Sequence, residues 1–258
     1  MNSLVVWHIS DLHIRGNDHS DNNHADILYA IKQIVEKIKQ SSVQTQLVVI
    51  AGDVFEHKDK YGPEDVSCFH NMLTVLNMLP VLIIPGNHDA PPKKGKLDLI
   101  SAALINTTYK NVHLFSKAGV YQIPGIANTD FYIYSPIDEV KLELPSVDNR
   151  TRRIAVLHEP IKGCRLYGSD AKTRFGVSDL SIYDAVLLGD MHKYCSMSQK
   201  RAYCGSLIQK NRNEDEKRGC LCWTFSTLGV KAEFIRLKLS NAKIRIFASG
   251  NKVKEWPD

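Results

Sequence analysis

Five stretches of this chain run through Val, Ile and Leu and then stop at a carboxylate or an imidazole. They are "SLVVWHISDLH" (3–13), "QLVVIAGD" (46–53), "PVLIIPGNHD" (80–89), "RIAVLHE" (153–159) and "DAVLLGDMH" (184–192). Continuous apolar runs of this kind suit strands covered on both faces. Between the first two lies "ADILYAIKQIVEKIKQ" (25–40), apolar at 27, 28, 31, 34, 35 and 38, which is the helical period. "PEDVSCFHNMLTVLNML" (63–79) repeats the pattern, with Pro63 suited to a first helical turn and Val66, Phe69, Leu73 and Leu76 on one face. Strand and helix in alternation imply parallel pairing through right-handed crossovers.

The last third changes character. "AYCGSLIQ", "GCLCWTFS", "AEFIRLKL" and "KIRIFAS" are short, alternating and joined by turn residues, which predicts antiparallel strands. The expected fold is α/β, a four-layer α/β/β/α sandwich of two packed mixed sheets. One domain is expected over residues 1–240, with 241–258 a C-terminal tail. Cys220 and Cys222 alternate on one strand and read as core thiols.

Composition narrows the class. The 258 residues favour one sizeable α/β domain, and a hydrophobic fraction of 43% supplies a full core. No apolar run approaches the ~20 residues of a membrane span. The opening "MNSLVVWHISDLH" lacks the basic lead of a signal peptide. Six dispersed cysteines without a C-x-x-C pair read as reduced thiols of a cytosol-like compartment. A net charge of +5 permits an anionic partner without demanding one. Basic clusters at "PPKKGK" (91–96), "RTRR" (150–153) and "KNRNEDEKR" (210–218) read as solvated loops or phosphate contacts. The third is the weakest, being interrupted by Glu214, Asp215 and Glu216.

In open α/β sheets the ligand crevice lies outside the carboxyl ends of the strands. Here those ends carry Asp11, His13, Asp53, Asn87, His88, Asp89, His158, Asp190 and His192. Residues two apart on an extended segment point the same way, so Asp11 with His13, and Asp190 with His192, can each share a target. A lone strand-end Asp reads equally well as a cap, and a lone His as a packed side chain. Jointly that reading fails, because clustered carboxylates raise one another's pKa and destabilise the fold unless cations neutralise them. Two divalent ions with one bridging carboxylate meet both the charge and the ligand count. Such a pair, about 3.5–4 Å apart, clamps a phosphoryl group and activates a water for in-line attack.

The motifs "DLH", "GD", "GNHD", the His of "VLHE" and "GDMH", in that order, resemble the calcineurin-like metallophosphoesterases. "AGDVFEHKDKYGPE", "LLGDMHK" and "AYCGSLIQKNRNEDEKRGC" are similar to its SbcD-type branch of double-strand-break repair nucleases, with Tyr203 to Ser206 as the segment that buttresses the last metal motif. The resemblance implies one metal on Asp11, His13, Asp53 and His192, and another on Asp53, Asn87, His158 and Asp190, with Asp53 bridging. It makes His88 the residue that protonates the leaving oxygen or holds transition-state charge, a role suited to imidazole, and Asp89 its orienting partner.

Two departures from the family pattern stand out. Asp190 occupies the place of a usual His, and a third carboxylate favours harder ions, so manganese or magnesium is expected over zinc. Only 35 residues follow position 223, too few for the capping domain and ATPase-docking segment of the branch. The chain is therefore expected to be a truncated or minimal form.

The implied activity is metal-dependent cleavage of DNA, by exonuclease or endonuclease action. The expected partners are DNA, an SbcC-type SMC-like ATPase and a second copy of the chain, in a cytoplasmic or nucleoid setting; a viral or phage origin is compatible with so compact a version. His57, Lys60 and Lys193, with Lys93 and Lys94, are candidate contacts to the nucleic-acid backbone. The alternatives are a phosphoesterase for a small phosphate ester or cyclic nucleotide, since the metal core is common to all branches, and a scaffold without chemistry. His19 and His24 read as solvated loop residues; His8, His70 and His113 read as packed.

Overall fold

The computed structural model describes residues 3–16, 23–58, 61–91, 96–138, 151–164, 173–210, 214, 217–238, 248–249 and 252–253. The first half runs β1 (Leu4–Ile9), α1 (His24–Gln40), β2 (Gln46–Ala51), α2 (Pro63–Leu76), β3 (Val81–Ile84), α3 (Leu99–Leu104), β4 (Val112–Leu114), β5 (Gly119–Tyr121) and β6 (Thr129–Tyr134). The second runs β7 (Arg152–His158), β8 (Ala185–Gly189), β9 (Cys195–Ser198), β10 (Arg201–Tyr203), β11 (Gly219–Ser226), β12 (Gly229–Arg236), β13 (Ala248–Ser249) and β14 (Lys252–Val253).

Two six-stranded sheets result, ordered β12-β11-β1-β2-β3-β4 and β5-β6-β7-β8-β10-β9. Both are mixed. In the first, β1 to β4 are parallel and β11 pairs antiparallel with both β1 and β12. In the second, β6, β7, β8 and β10 are parallel and the two edges antiparallel. The expectation for "AYCGSLIQ" is corrected here: β10 joins β8 in parallel, and only its partner β9 is antiparallel to it.

The period of two explains why the strands are apolar throughout. Val5, Trp7 and Ile9 of β1 face α1 and α2, whereas Leu4 and Val6 face the second sheet. On β7, Ile154 and Val156 fill the space between the sheets, and Ala155 and Leu157 face outward into a third cluster with Tyr183 and Leu180. α1 lays Ile27, Ile31, Ile34 and Ile38 on the first sheet, with Asp26 in its first turn and Lys37 and Lys39 in its last, as the helix dipole prefers. Among the described residues the helices lie on the outer face of the first sheet, and turn segments cover the outer face of the second.

All six cysteines are free thiols, as their spacing predicts. Among the described residues no helix is long and apolar enough to cross a membrane. His8 and His113 are packed, and His70 stacks on Tyr109. His24 departs from expectation: it opens α1 with its Nε2 2.7 Å from Asp65 Oδ1, tying α1 to α2. His19, Lys60, Lys93, Lys94 and most of the 241–258 tail lie outside the described residues.

Candidate metal centre

The loops leaving β1 and β2 are bound to each other before any side chain is considered. The amides of Asp11, His13 and Ile14 donate to the carbonyls of Gly52, Asp53 and Val54 at 3.0, 3.0 and 2.8 Å. Asp11, His13 and Asp53 hold φ angles of 53°, 48° and 52°, and Asp190 at the end of β8 holds 86°. Left-handed backbone of this kind is costly for a residue with a Cβ and gathers at functional sites. Here it turns four donor side chains inward at once. Gly86 is required by contact: a Cβ there would lie 2.1 Å from Asp53 Oδ1 and 2.3 Å from the Asp53 amide nitrogen.

The donors converge across the two sheets. His13 and His192 bring their Nε2 atoms to 3.0 Å, with Asp11 Oδ1 4.0 and 3.9 Å from the two. Asp53 turns Oδ2 toward His13 at 3.6 Å and Oδ1 toward His158 Nε2 at 3.2 Å, so it faces both halves of the cluster. Asp190 Oδ1 lies 3.8 Å from His158 Nε2, and its amide donates to Asp11 Oδ2 at 3.2 Å. Ser10 Oγ donates to the same Asp11 oxygen. Six of the seven residues expected to ligate are thereby brought together. The seventh, Asn87, stands exposed at the rim, next to His88, whose amide donates to Asp53 Oδ1 at 2.9 Å.

Electrostatics agrees with a cation site. Burial pushes the Asp11 carboxyl up, with the neighbouring Asp53 adding to the rise against His158 and His13. Burial acts the same way on Asp53, but His158, His13 and the His88 amide outweigh it and hold that carboxyl well below the ordinary range. Burial opposes charge on His158, yet Asp53, Asp11 and Asp190 push it up to about 10. Burial outweighs Glu56, Asp53 and Asp11 and pushes the His13 imidazole down, which favours the neutral form that a ligand needs.

A divalent ion fits these residues. Asp11 Oδ1 is buried and lacks a hydrogen-bonding alignment with any described group, which is costly unless something else meets it; His158 Nε2 is likewise unaligned, with the Asp53 carboxylate 3.2 Å away as its ion-pair partner. Asp11, His13 and His192 form one group of donors and Asp11, Asp53 and His158 another, each within 4.8 Å. Two nitrogens bound to one ion at about 2.1 Å and a right angle stand about 3.0 Å apart, which is the separation of the His13 and His192 nitrogens.

The surrounding groups contain residues that sequence reasoning missed. His158 donates from Nδ1 to the Ala51 carbonyl at 2.7 Å, which leaves Nε2 for the centre. His192 Nδ1 meets Glu214 Oε1 at 2.9 Å, and His13 Nδ1 lies 3.0 Å from Glu56 Oε2. Neither glutamate sits on a periodic element, and Glu214 is embedded in a mixed-charge run that reads as solvent-facing. The buttress is corrected in part: the Tyr203 hydroxyl braces the loop after β7, donating to the Glu159 carbonyl at 3.2 Å and accepting from the Ile161 amide at 3.0 Å, while it is the Ser206 amide that donates to the His192 carbonyl of the last motif, at 3.1 Å.

The expected pairing of Asp89 with His88 is corrected. The Asp89 carboxylate accepts from the amides of Val54, Phe55 and Gly86 at 3.1, 3.0 and 2.8 Å, locking the β2 and β3 loops together. Burial and the Asp53 charge push it up to about 7 against those donors. His88 is oriented instead by the Glu56 carbonyl, which accepts from its Nδ1. His57 is half-buried on the loop after β2 and Lys193 is exposed beside His192; neither is among the converging donors.

With fold and site in place, comparison with known proteins gives the class. Residues 4–194 match the calcineurin-like phosphoesterase family, and the chain belongs to it. It is 29% identical over 248 residues to an uncharacterized protein of Acanthamoeba polyphaga mimivirus, covering 85% of this chain and 17% of that one. It is 25% identical over 238 residues to the DNA double-strand break repair protein Mre11 of Methanosarcina acetivorans, covering 88% and 38% respectively. The protein of the same name from Methanosarcina mazei is 25% identical over 237 residues, covering 88% and 37%. The chain thus spans under two-fifths of the length of each of these relatives.

Proposed function

We propose that this protein is a metal-dependent phosphodiesterase of the SbcD type that cleaves DNA. The observation that carries this reading is the gathering of Asp11, His13, Asp53 and His158, all buried, and the half-buried Asp190 and His192 into one cluster, with His88 docked on Asp53. The similarity to two DNA repair proteins supports DNA as substrate.

Those six side chains and Asn87 would hold two divalent ions, manganese or magnesium. When bound, the ions neutralise phosphoryl charge and lower the pKa of water. The chain does the rest. Asp53 faces both halves of the cluster and fixes their spacing. The Glu56 carbonyl holds Nδ1 of His88, so Nε2 is the atom that passes a proton to the departing sugar oxygen as the P–O bond breaks. Asp89 holds the loops that carry Asp53 and His88 in register. Lys193 and His57, with Lys60, contact the nucleic-acid backbone. Residues 1–240 form the catalytic unit and 241–258 a tail, and an SMC-like ATPase and a second copy of the chain are its partners.

The test compares hydrolysis of linear duplex DNA, single strands and bis-p-nitrophenyl phosphate with manganese. DNA turnover well above that of the small diester is expected. Turnover of DNA no better than of the small diester moves the assignment to small phosphate esters.

A further inference from the structure

Resting on the metal-centre reading above, we infer that Glu56 and Glu214 are the positioning residues for the two imidazoles that share one ion, with Lys210 tying the carboxylates together. A carboxylate on one ring nitrogen fixes the tautomer and the ring plane and makes the other nitrogen a better donor. Here His192 Nδ1 is hydrogen-bonded to Glu214 Oε1 at 2.9 Å, whereas His13 Nδ1 makes a 3.0 Å ion-pair contact with Glu56 Oε2 that lies off the hydrogen-bonding direction, with Lys210 Nζ 3.5 Å from the same nitrogen. Both rings turn Nε2 to the same point, 3.0 Å from one another.

The carboxylates are themselves held. Glu214 Oε2 accepts from the Lys210 amide and from Arg218 Nη2, each at 2.9 Å. Arg218 is buried, and its Nη1 donates to Ser206 Oγ at 2.8 Å and to the His192 carbonyl. One guanidinium thus grips the orienting acid and the backbone of the residue being oriented. Lys210 Nζ lies 3.0 Å from Glu56 Oε2, so Lys210 reaches one glutamate with its side chain and the other with its amide. His158 is backed by a neutral carbonyl, that of Ala51. The two ion positions are therefore unequal: the one on His13 and His192 has two carboxylate-backed imidazoles, and the other has one carbonyl-backed imidazole.

The experiment titrates the full chain with Co2+ alone. Visible absorption counts equivalents, and proton NMR follows the exchangeable imidazole N–H signals shifted by the bound ion. The wild type takes up two equivalents, the first more tightly. Glu214→Gln and Glu56→Gln, isosteric and on different loops, each weaken the first equivalent about 10–100-fold and broaden one shifted N–H signal through solvent exchange, while the second equivalent is unchanged. Glu214→Asp restores part of the loss. Lys210→Met, which removes the tie but neither carboxylate, gives a smaller loss confined to the first equivalent. First-equivalent affinity and N–H signals equal to wild type in both glutamine variants overturn the inference. A wild type that binds no cobalt overturns the metal reading beneath it, and the two failures are separate observations.

Discussion

His13 and His192 are 179 positions apart in sequence and sit on loops that leave different sheets, yet their Nε2 atoms are 3.0 Å from one another. Two imidazole nitrogens at that distance need a shared proton or a shared ion between them. The ring planes are steep to each other, at 68°, and each Nδ1 already faces a glutamate. A shared ion is the arrangement consistent with the buried Asp11 oxygen beside them.

Replacing His88 separates proton transfer from ion binding. His88→Gln is expected to lower DNA cleavage about 10²–10⁴-fold, with cobalt uptake unchanged. The same variant loses less on bis-p-nitrophenyl phosphate, whose leaving group departs as a stable anion without a proton. Equal losses on both substrates give His88 a role in holding charge instead.

The proposed ligand role of Asp190 predicts that it sets the hardness of the centre. Asp190→His exchanges an oxygen donor for a nitrogen donor, and it is expected to raise affinity for zinc relative to manganese. Competition between the two ions, read by manganese paramagnetic resonance, checks the direction. An unchanged ratio removes Asp190 from the ligands.

Ion uptake is expected to release protons. In the metal-free chain His158 is pushed up to about 10. A raised imidazole stabilises the fold in full below its ordinary value near 6.5 and loses that contribution as pH rises through its folded value. An ion on Nε2 must expel this proton, so apparent affinity rises about tenfold per pH unit between roughly 7 and 9, where one proton is displaced. Calorimetry in two buffers of different ionisation heat counts the protons directly.

Gly86→Ala places a methyl group against Asp53, 2.1 Å from its Oδ1. Backbone amides lie on the same side, so relief requires the β2 and β3 loops to part. A loss of about 1–3 kcal/mol is expected, read as a lowered thermal midpoint, together with weaker divalent-ion uptake because Asp53 faces both halves of the donor cluster.

What the sequence revealed depended on contrast. Asp11, Asp53 and Asp190 were legible because each ends an apolar run that has no packing use for a charge, and the helices because Ile27, Ile31, Ile34 and Ile38 keep one period. Glu56 and Glu214 were not, since a glutamate in a polar loop looks the same whether it faces water or an imidazole. Asp89 was assigned by adjacency to His88; its carboxylate turns away to three amides that only the folded loops bring near. β10 was misjudged in direction because alternation marks a strand but says nothing of its neighbour.

The donors divide between the sheets: Asp11, His13 and Asp53 leave the first, and His158, Asp190 and His192 leave the second. The centre is therefore a suture at one end of the sandwich, and its geometry is only as good as the alignment of two slabs. Residues far from any ion, such as Val6, Leu47, Val156 and Leu187 in the layer between them, set that alignment. Truncating one of these side chains is expected to loosen that alignment, so turnover falls further than the lowered thermal midpoint alone accounts for.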